Sequence, residues 1–104
     1  MESLKYSLDD MKKEIVKISD NIDEIHSIKC ISIQGYLNSI NIYFKCYNHS
    51  SEQKEKKRLL EAIKDGFNII IHISSELKDK TDNNLLDSFI VHLCLNKMKI
   101  TNLL

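Results

Sequence analysis

Histidine and cysteine side chains at helical spacing are the residues of this sequence whose chemistry is most suggestive. His26 and Cys30 are four residues apart, so on one helix they would project side by side, as two ligands of a tetrahedral zinc ion do. If long helices met at turns near residues 50 and 82, His72 and His92 would reach the same level of a bundle. These four residues are the candidate metal ligands. The more ordinary expectation is histidines at the edge of a core and a buried thiol, with no cofactor.

Thiol catalysis is the second chemistry that these residue types allow. A cysteine nucleophile needs a basic partner, and Cys46 with His49 and His92 with Cys94 are close in sequence. Neither pair has a visible third group to orient it. The two glycines form no phosphate-binding loop, and no HExxH or GxSxG motif is present. We therefore expect no enzyme.

The charge balance argues against polyanionic partners. Lys plus Arg and Asp plus Glu number 15 each, so no net field attracts nucleic acid or an anionic membrane. The one basic run, from Lys54 to Arg58, is interleaved with glutamates and is typical of a solvated helix turn. We expect no nucleic-acid partner.

Three cysteines form no even framework and no CxxC pair. The N-terminal residues do not resemble a signal peptide, and no apolar run is long enough to cross a membrane. We therefore expect a cytoplasmic protein with reduced thiols. The abundance of Ile, Lys and Asn indicates an AT-rich genome.

The clearest helix signal lies in the first quarter of the chain. Apolar residues there alternate at steps of four and three, as in a coiled-coil heptad, and share one helix face. They are Leu4, Leu8, Met11, Ile15, Ile18, Ile22 and Ile25. Ser7 and Asp10 resemble a capping box, which predicts a helix start near Leu8.

Residues 28–48 fit two templates. Ile33, Leu37, Ile40 and Phe44 keep the helical spacing, whereas Ile31 with Ile33 and Ile40 with Ile42 alternate as in a strand, with a hairpin connection from Gly35. We expect helix, with a weak break near 28–36 and a hairpin as the alternative.

Turn residues at 48–51 and 81–84 delimit two further helices, about 51–80 and 85–99, with Ser50 and Thr81 or Asp82 as candidate caps. Alternation from Phe67 to Ile73 offers a strand after Gly66 as the rival interpretation. The last helix is apolar almost all round. We therefore expect one domain, 1–104, that is all-α: a small antiparallel bundle or long helical hairpin of three to four helices. The alternative is α+β, with strands 29–34, 39–46 and 67–73.

The surplus of apolar helix surface is the main functional signal, because a monomer of this length cannot surround every helix. It predicts a non-enzymatic interaction module that forms a homo-oligomer, with a dimer as the first expectation, or binds a protein target, in the manner of an inhibitor, immunity protein or chaperone. The alternative function is a zinc-binding helical sensor or carrier. The predicted contact residues are Leu8, Met11, Ile15, Ile18, Ile22, Phe89 and Leu93.

Overall fold

The computed structural model describes residue 4, residues 6–81 and residues 83–104, and in that part of the chain every regular element is a helix. The elements are α1 (Leu8–Asp20), α2 (Glu24–His49), α3 (Gln53–Thr81) and α4 (Asn84–Leu103). The short connections make consecutive helices antiparallel neighbours, and α1 also packs on α4. The result is a closed bundle of 45 × 20 × 19 Å. The predicted all-α bundle is confirmed, and the small-sheet alternative is wrong, because residues 29–34, 39–46 and 67–73 are all helical.

The first helix begins where the sequence predicts and ends earlier. Ser7 is its N-cap, since the Ser7 Oγ accepts a hydrogen bond from the Asp10 N–H at 3.1 Å. The row of apolar residues predicted a helix as far as Ile25, but α1 stops before Asn21. The Asn21 Nδ2 donates to the Lys17 carbonyl at 2.7 Å and so satisfies the last turn. The apolar spacing stays in phase across this break and therefore conceals it.

The second helix confirms the helical interpretation of residues 28–48 and moves the predicted break. Asp23 caps this helix by accepting the His26 N–H at 2.9 Å, so the break lies at residues 21–23 and not near 28–36. The helix continues through Gly35 because Ile33 and Leu37 keep the four-residue spacing of the core side.

The third helix passes through Gly66, where the rival interpretation ended it. A Cβ atom on Gly66 would lie 2.9 Å from the Cγ1 atom of Ile40, so the missing side chain lets α2 and α3 approach closely. Ser50, the candidate N-cap of this helix, instead ends α2, with its N–H donating to the Tyr47 carbonyl at 3.3 Å.

The fourth helix is capped by Asn83, whose Oδ1 accepts the Leu85 N–H at 2.9 Å. The candidate cap Asp82 lies outside the described residues, and the Thr81 hydroxyl donates back to the Leu77 carbonyl at 2.7 Å. In the described part of the chain, no helix has the length and apolar content needed to cross a bilayer.

Candidate functional site

The four candidate metal ligands do not come together. In the described part of the chain, no group of three His, Cys, Asp or Glu side chains is placed to hold a metal ion. Each of the three candidate histidines has a carboxylate neighbour instead: His26 with Asp23 at 2.7 Å, His72 with Glu76 at 3.1 Å, and His92 with Glu14 at 2.8 Å. The predicted ligand layer of His26, Cys30, His72 and His92 is therefore wrong.

The register between α2 and α3 explains this error. The Lys29 Nζ lies 3.1 Å from the Glu76 Oε2, so Cys30 is level with about residue 75 and not with residue 70. The hydrogen bond from Lys29 holds the pKa of the Glu76 carboxyl below its ordinary value. This ion pair joins two helices at a point where the sequence suggested a metal.

Cys30 is unsuited to nucleophilic chemistry. Its side chain is fully buried, and burial raises the pKa of the thiol, with partial opposition from a hydrogen bond with Ser19. A thiol held in its protonated form is a poor nucleophile. Cys46 is exposed and Cys94 is half-buried.

Four residues that the sequence did not bring together form what we call the N-terminal clasp: Tyr6, Glu14, His92 and Asn96. Asn96 is fully buried; its Oδ1 accepts the Tyr6 N–H at 3.0 Å and its Nδ2 donates to the Tyr6 carbonyl at 2.9 Å. The Tyr6 ring stacks on the His92 ring with centroids 3.9 Å apart. The clasp fastens the segment before α1 to α4. Its one sequence signal is a polar residue, Asn96, at the helical spacing of the buried Phe89, Leu93 and Ile100.

The clasp contains a carboxylate–imidazole pair, which corresponds to two of the three groups of a catalytic triad. Ser88 lies four residues before His92 and lines the same shallow groove, of about 210 Å³. Among the described residues, however, no hydroxyl or thiol is hydrogen-bonded to His92, and Tyr6 covers one face of the ring. We interpret the pair of Glu14 and His92 as a structural contact that joins α1 to α4.

The predicted contact residues are in the core. Leu8, Met11, Ile15, Ile18, Phe89 and Leu93 are buried, and Ile22 packs against the same cluster half-buried. A side chain with almost no exposed area cannot contact a partner unless the bundle opens. We therefore correct this assignment: the heptad row from Leu8 to Ile22 packs the bundle itself, and any interface must use other residues.

Three well-exposed isoleucines lie on the opposite side of α2 from the core, in addition to Ile25, which is 78% exposed at the start of this helix. Ile28 is 63% exposed, Ile31 67% and Ile42 58%. With Gly35 they occupy one outward side of the helix, which we call the α2 outer face. The helix carries no charged residue between Lys29 and Lys45, in a chain that is 29% charged. A solvated helix face normally carries charges, so this surface is unusual.

Gly35 lies at the middle of the α2 outer face. A Cβ atom there would meet nothing within 4 Å, whereas a Cβ on Gly66 would crowd Ile40. Glycine inside an exposed helix costs about 1 kcal/mol relative to alanine. Packing within the bundle therefore accounts for Gly66 and gives no reason for Gly35.

The α2 outer face continues into a groove between α2 and α3. Tyr36 and Tyr43 of α2 line this groove on one side, and Ile69 of α3 lines it on the other; all three are partly exposed. The groove has a volume of about 280 Å³. Tyrosine suits such a position, since its ring is apolar and its hydroxyl can remain in water.

The fourth helix exposes a smaller apolar area than its composition suggests. Most of its large side chains are buried or half-buried, and Val91 and Met98 are the well-exposed ones in its middle. Asp87, Lys97 and Lys99 lie on the same helix. The α2 outer face differs from this surface in that its helix carries no charged residue between Lys29 and Lys45.

No family model, curated protein or solved structure matches this chain.

Proposed function

We propose that this protein is a non-enzymatic protein–protein interaction module whose binding surface is the α2 outer face. One observation carries the proposal: Ile28, Ile31 and Ile42 are each more than half exposed, and α2 carries no charged residue between Lys29 and Lys45. Exposed apolar side chains grouped on one side of a folded protein are typical of a protein–protein binding site.

The free energy gained by burying these side chains supports an interaction of moderate strength. Burying the exposed part of one such isoleucine stabilises a complex by about 1–2 kcal/mol. Three of them contribute several kcal/mol, which is comparable with the lower estimates of the free energy lost on association. Tyr36 and Tyr43, beside the face, would supply the additional contact area.

The partner is a second copy of the chain or another protein, and the binding is of the inhibitor, immunity or chaperone kind. A cytoplasmic location fits the three free cysteines, since the exposed Cys46 would be oxidised readily elsewhere. The α4 surface around Val91 and Met98 is the natural comparison, because it is also apolar and exposed.

Two matched double variants test the proposal. Ile31→Glu with Ile42→Glu places charge on the α2 outer face, and Val91→Glu with Met98→Glu does the same on α4. Both variants should keep the circular dichroism spectrum of the native bundle, since all four sites are exposed. Self-association and co-purification of partners from the native source should be lost in the first variant only. Two folded variants that bind as the native protein does would contradict the proposal.

A further inference from the structure

We infer that the occupant of the α2 outer face is a second copy of this chain, with the two α2 helices antiparallel and a two-fold axis passing close to Gly35. This inference rests on the proposed function and names its partner. Three features of α2 point to self-association: the order of residues along the helix, its charges and its central glycine. The length of the face then sets the expected strength.

The order of residues along the face is self-complementary. Ile28 and Ile42 each lie seven residues from Gly35, so an antiparallel copy centred there places one opposite the other. By the same rule Ile31 faces Ser39 of the second copy, a large side chain against a small one. A two-fold interface must match a surface with itself in this way.

The charges at the two ends of the face are opposite. Glu24 begins α2 and Lys45 lies near its end, and an antiparallel copy brings the Glu24 of one chain beside the Lys45 of the other. Within the described residues, neither of these two side chains has an ion-pair partner. A parallel copy would instead place like charges together.

The central glycine is the third feature. At a helix crossing, the absence of a side chain lets two backbones approach closely, as Gly66 does beside Ile40 inside the bundle. Gly35 has open space around it within the monomer, so its closest neighbour in the inferred dimer is the Gly35 of the second copy. Ser32 and Ser39, one helical turn to either side, are also small.

The length of the face sets the expected strength. Ile28 and Ile42 are about 21 Å apart along the helix at 1.5 Å per residue. A single helix pair of this length buries less than the standard interface of about 800 Å² per partner, even with Tyr36 and Tyr43 at its edge. We therefore expect a dimer with a dissociation constant in the micromolar range.

Cysteine cross-linking of the full chain tests the geometry. In a Cys46→Ser, Cys94→Ser background, Gly35→Cys should form a disulfide-linked dimer under mild oxidation, because disulfides join Cα atoms within about 7 Å. Neither Ser32→Cys nor Asn38→Cys should form a disulfide-linked dimer by itself. The same residue in the two copies is displaced by about 9 Å along the helix axes, in addition to the separation between the helices. A mixture of these two proteins should cross-link.

Gly35→Leu tests the close approach without relying on oxidation. Sedimentation equilibrium should show a dissociation constant raised at least tenfold, while the melting temperature of the dilute monomer stays the same or rises. A dimer as strong as the native one, or stronger, would overturn the close approach at Gly35.

The remaining outcomes separate the two proposals. Self-linking of Ser32→Cys and of Asn38→Cys would overturn the antiparallel arrangement. A native protein that stays monomeric at several hundred micromolar, with no cross-link at Gly35→Cys, would overturn self-association. In that case, if the Ile31→Glu, Ile42→Glu variant no longer binds an identified protein partner, the proposed function stands without self-association. If the variant binds that partner as the native protein does, both proposals are contradicted.

Discussion

The Cγ1 atom of Ile40 lies 2.9 Å from the position that a Cβ on Gly66 would occupy, so the close packing of α2 against α3 at this point depends on a glycine. Gly35, the second glycine, lies on the same helix as Ile40 and has no such neighbour. The two glycines therefore offer a matched comparison of internal packing with an exposed surface.

Alanine at the two glycines should have different effects on stability. Gly35→Ala should raise the free energy of unfolding by about 0.5–1 kcal/mol, because alanine is the better helix former and meets no atom. Gly66→Ala should be less stable than Gly35→Ala by at least about 1 kcal/mol, since the buried Ile40 must move. Urea denaturation at low micromolar concentration, where a weak dimer has dissociated, measures both. Equal gains at the two positions would contradict the packing account.

Removal of the Asn96 amide should loosen the N-terminal clasp. Asn96→Leu keeps the number and branching of the side-chain heavy atoms but leaves the N–H and carbonyl of Tyr6 without partners, at a cost of about 1–3 kcal/mol. Thermal denaturation and amide exchange at Tyr6 measure the effect, and Asn102→Leu at an exposed site of α4 is the control. An Asn96→Leu protein with native melting temperature and native exchange would show that the clasp contributes nothing.

The Asp23 cap should make stability depend on pH in the acid range. The His26 backbone N–H that donates to Asp23 holds the pKa of this carboxyl below its ordinary value of 3.8. A lowered folded pKa means that the stabilisation is present above pH 3.8 and is lost as the pH falls through the lower folded value. Asp23→Asn keeps a capping oxygen that does not titrate. The melting-temperature advantage of the native protein over Asp23→Asn should therefore shrink below pH 3.8, and a constant difference from pH 6 to pH 2 would exclude this role.

A charge exchange should test the antiparallel pairing of Glu24 with Lys45. Lys45→Glu and Glu24→Lys should each weaken the dimer roughly three- to tenfold, because a symmetric interface contains the pair twice and each exposed pair contributes less than about 1 kcal/mol. The double variant should recover affinity to within about twofold, at low salt. Lys57→Glu, on an exposed part of α3, is the control. A double variant weaker than either single one would contradict the pairing.

The helices themselves could be predicted from sequence because two turns are rich in polar residues and the core residues keep helical spacing. The break at residues 21–23 could not, since Ile18, Ile22 and Ile25 stay in phase across it. Amphipathic spacing also does not distinguish a core from an interface. Met11 and Ile15 were predicted to contact a partner, and both are fully buried in the bundle.

The α2 outer face left a signal in the sequence that resembled a strand. Ile31 and Ile33 alternate, as do Ile40 and Ile42, and alternation usually predicts a strand. On a helix, residues two positions apart lie on nearly opposite sides, so one isoleucine of each pair is buried and the other is exposed. Alternating isoleucines inside an uncharged stretch of a helix therefore indicate an exposed apolar face.

The most direct test of the central claim is the concentration dependence of the backbone amide NMR spectrum of the native protein, from about 20 µM to 1 mM. We expect the amide chemical shifts around Ile28, Gly35 and Ile42 to change with concentration and to fit a single binding curve. The amide chemical shifts around Val91 and Met98 should not change. A spectrum that does not change with concentration, or changes confined to α4, would contradict an α2 interface between two copies of the chain.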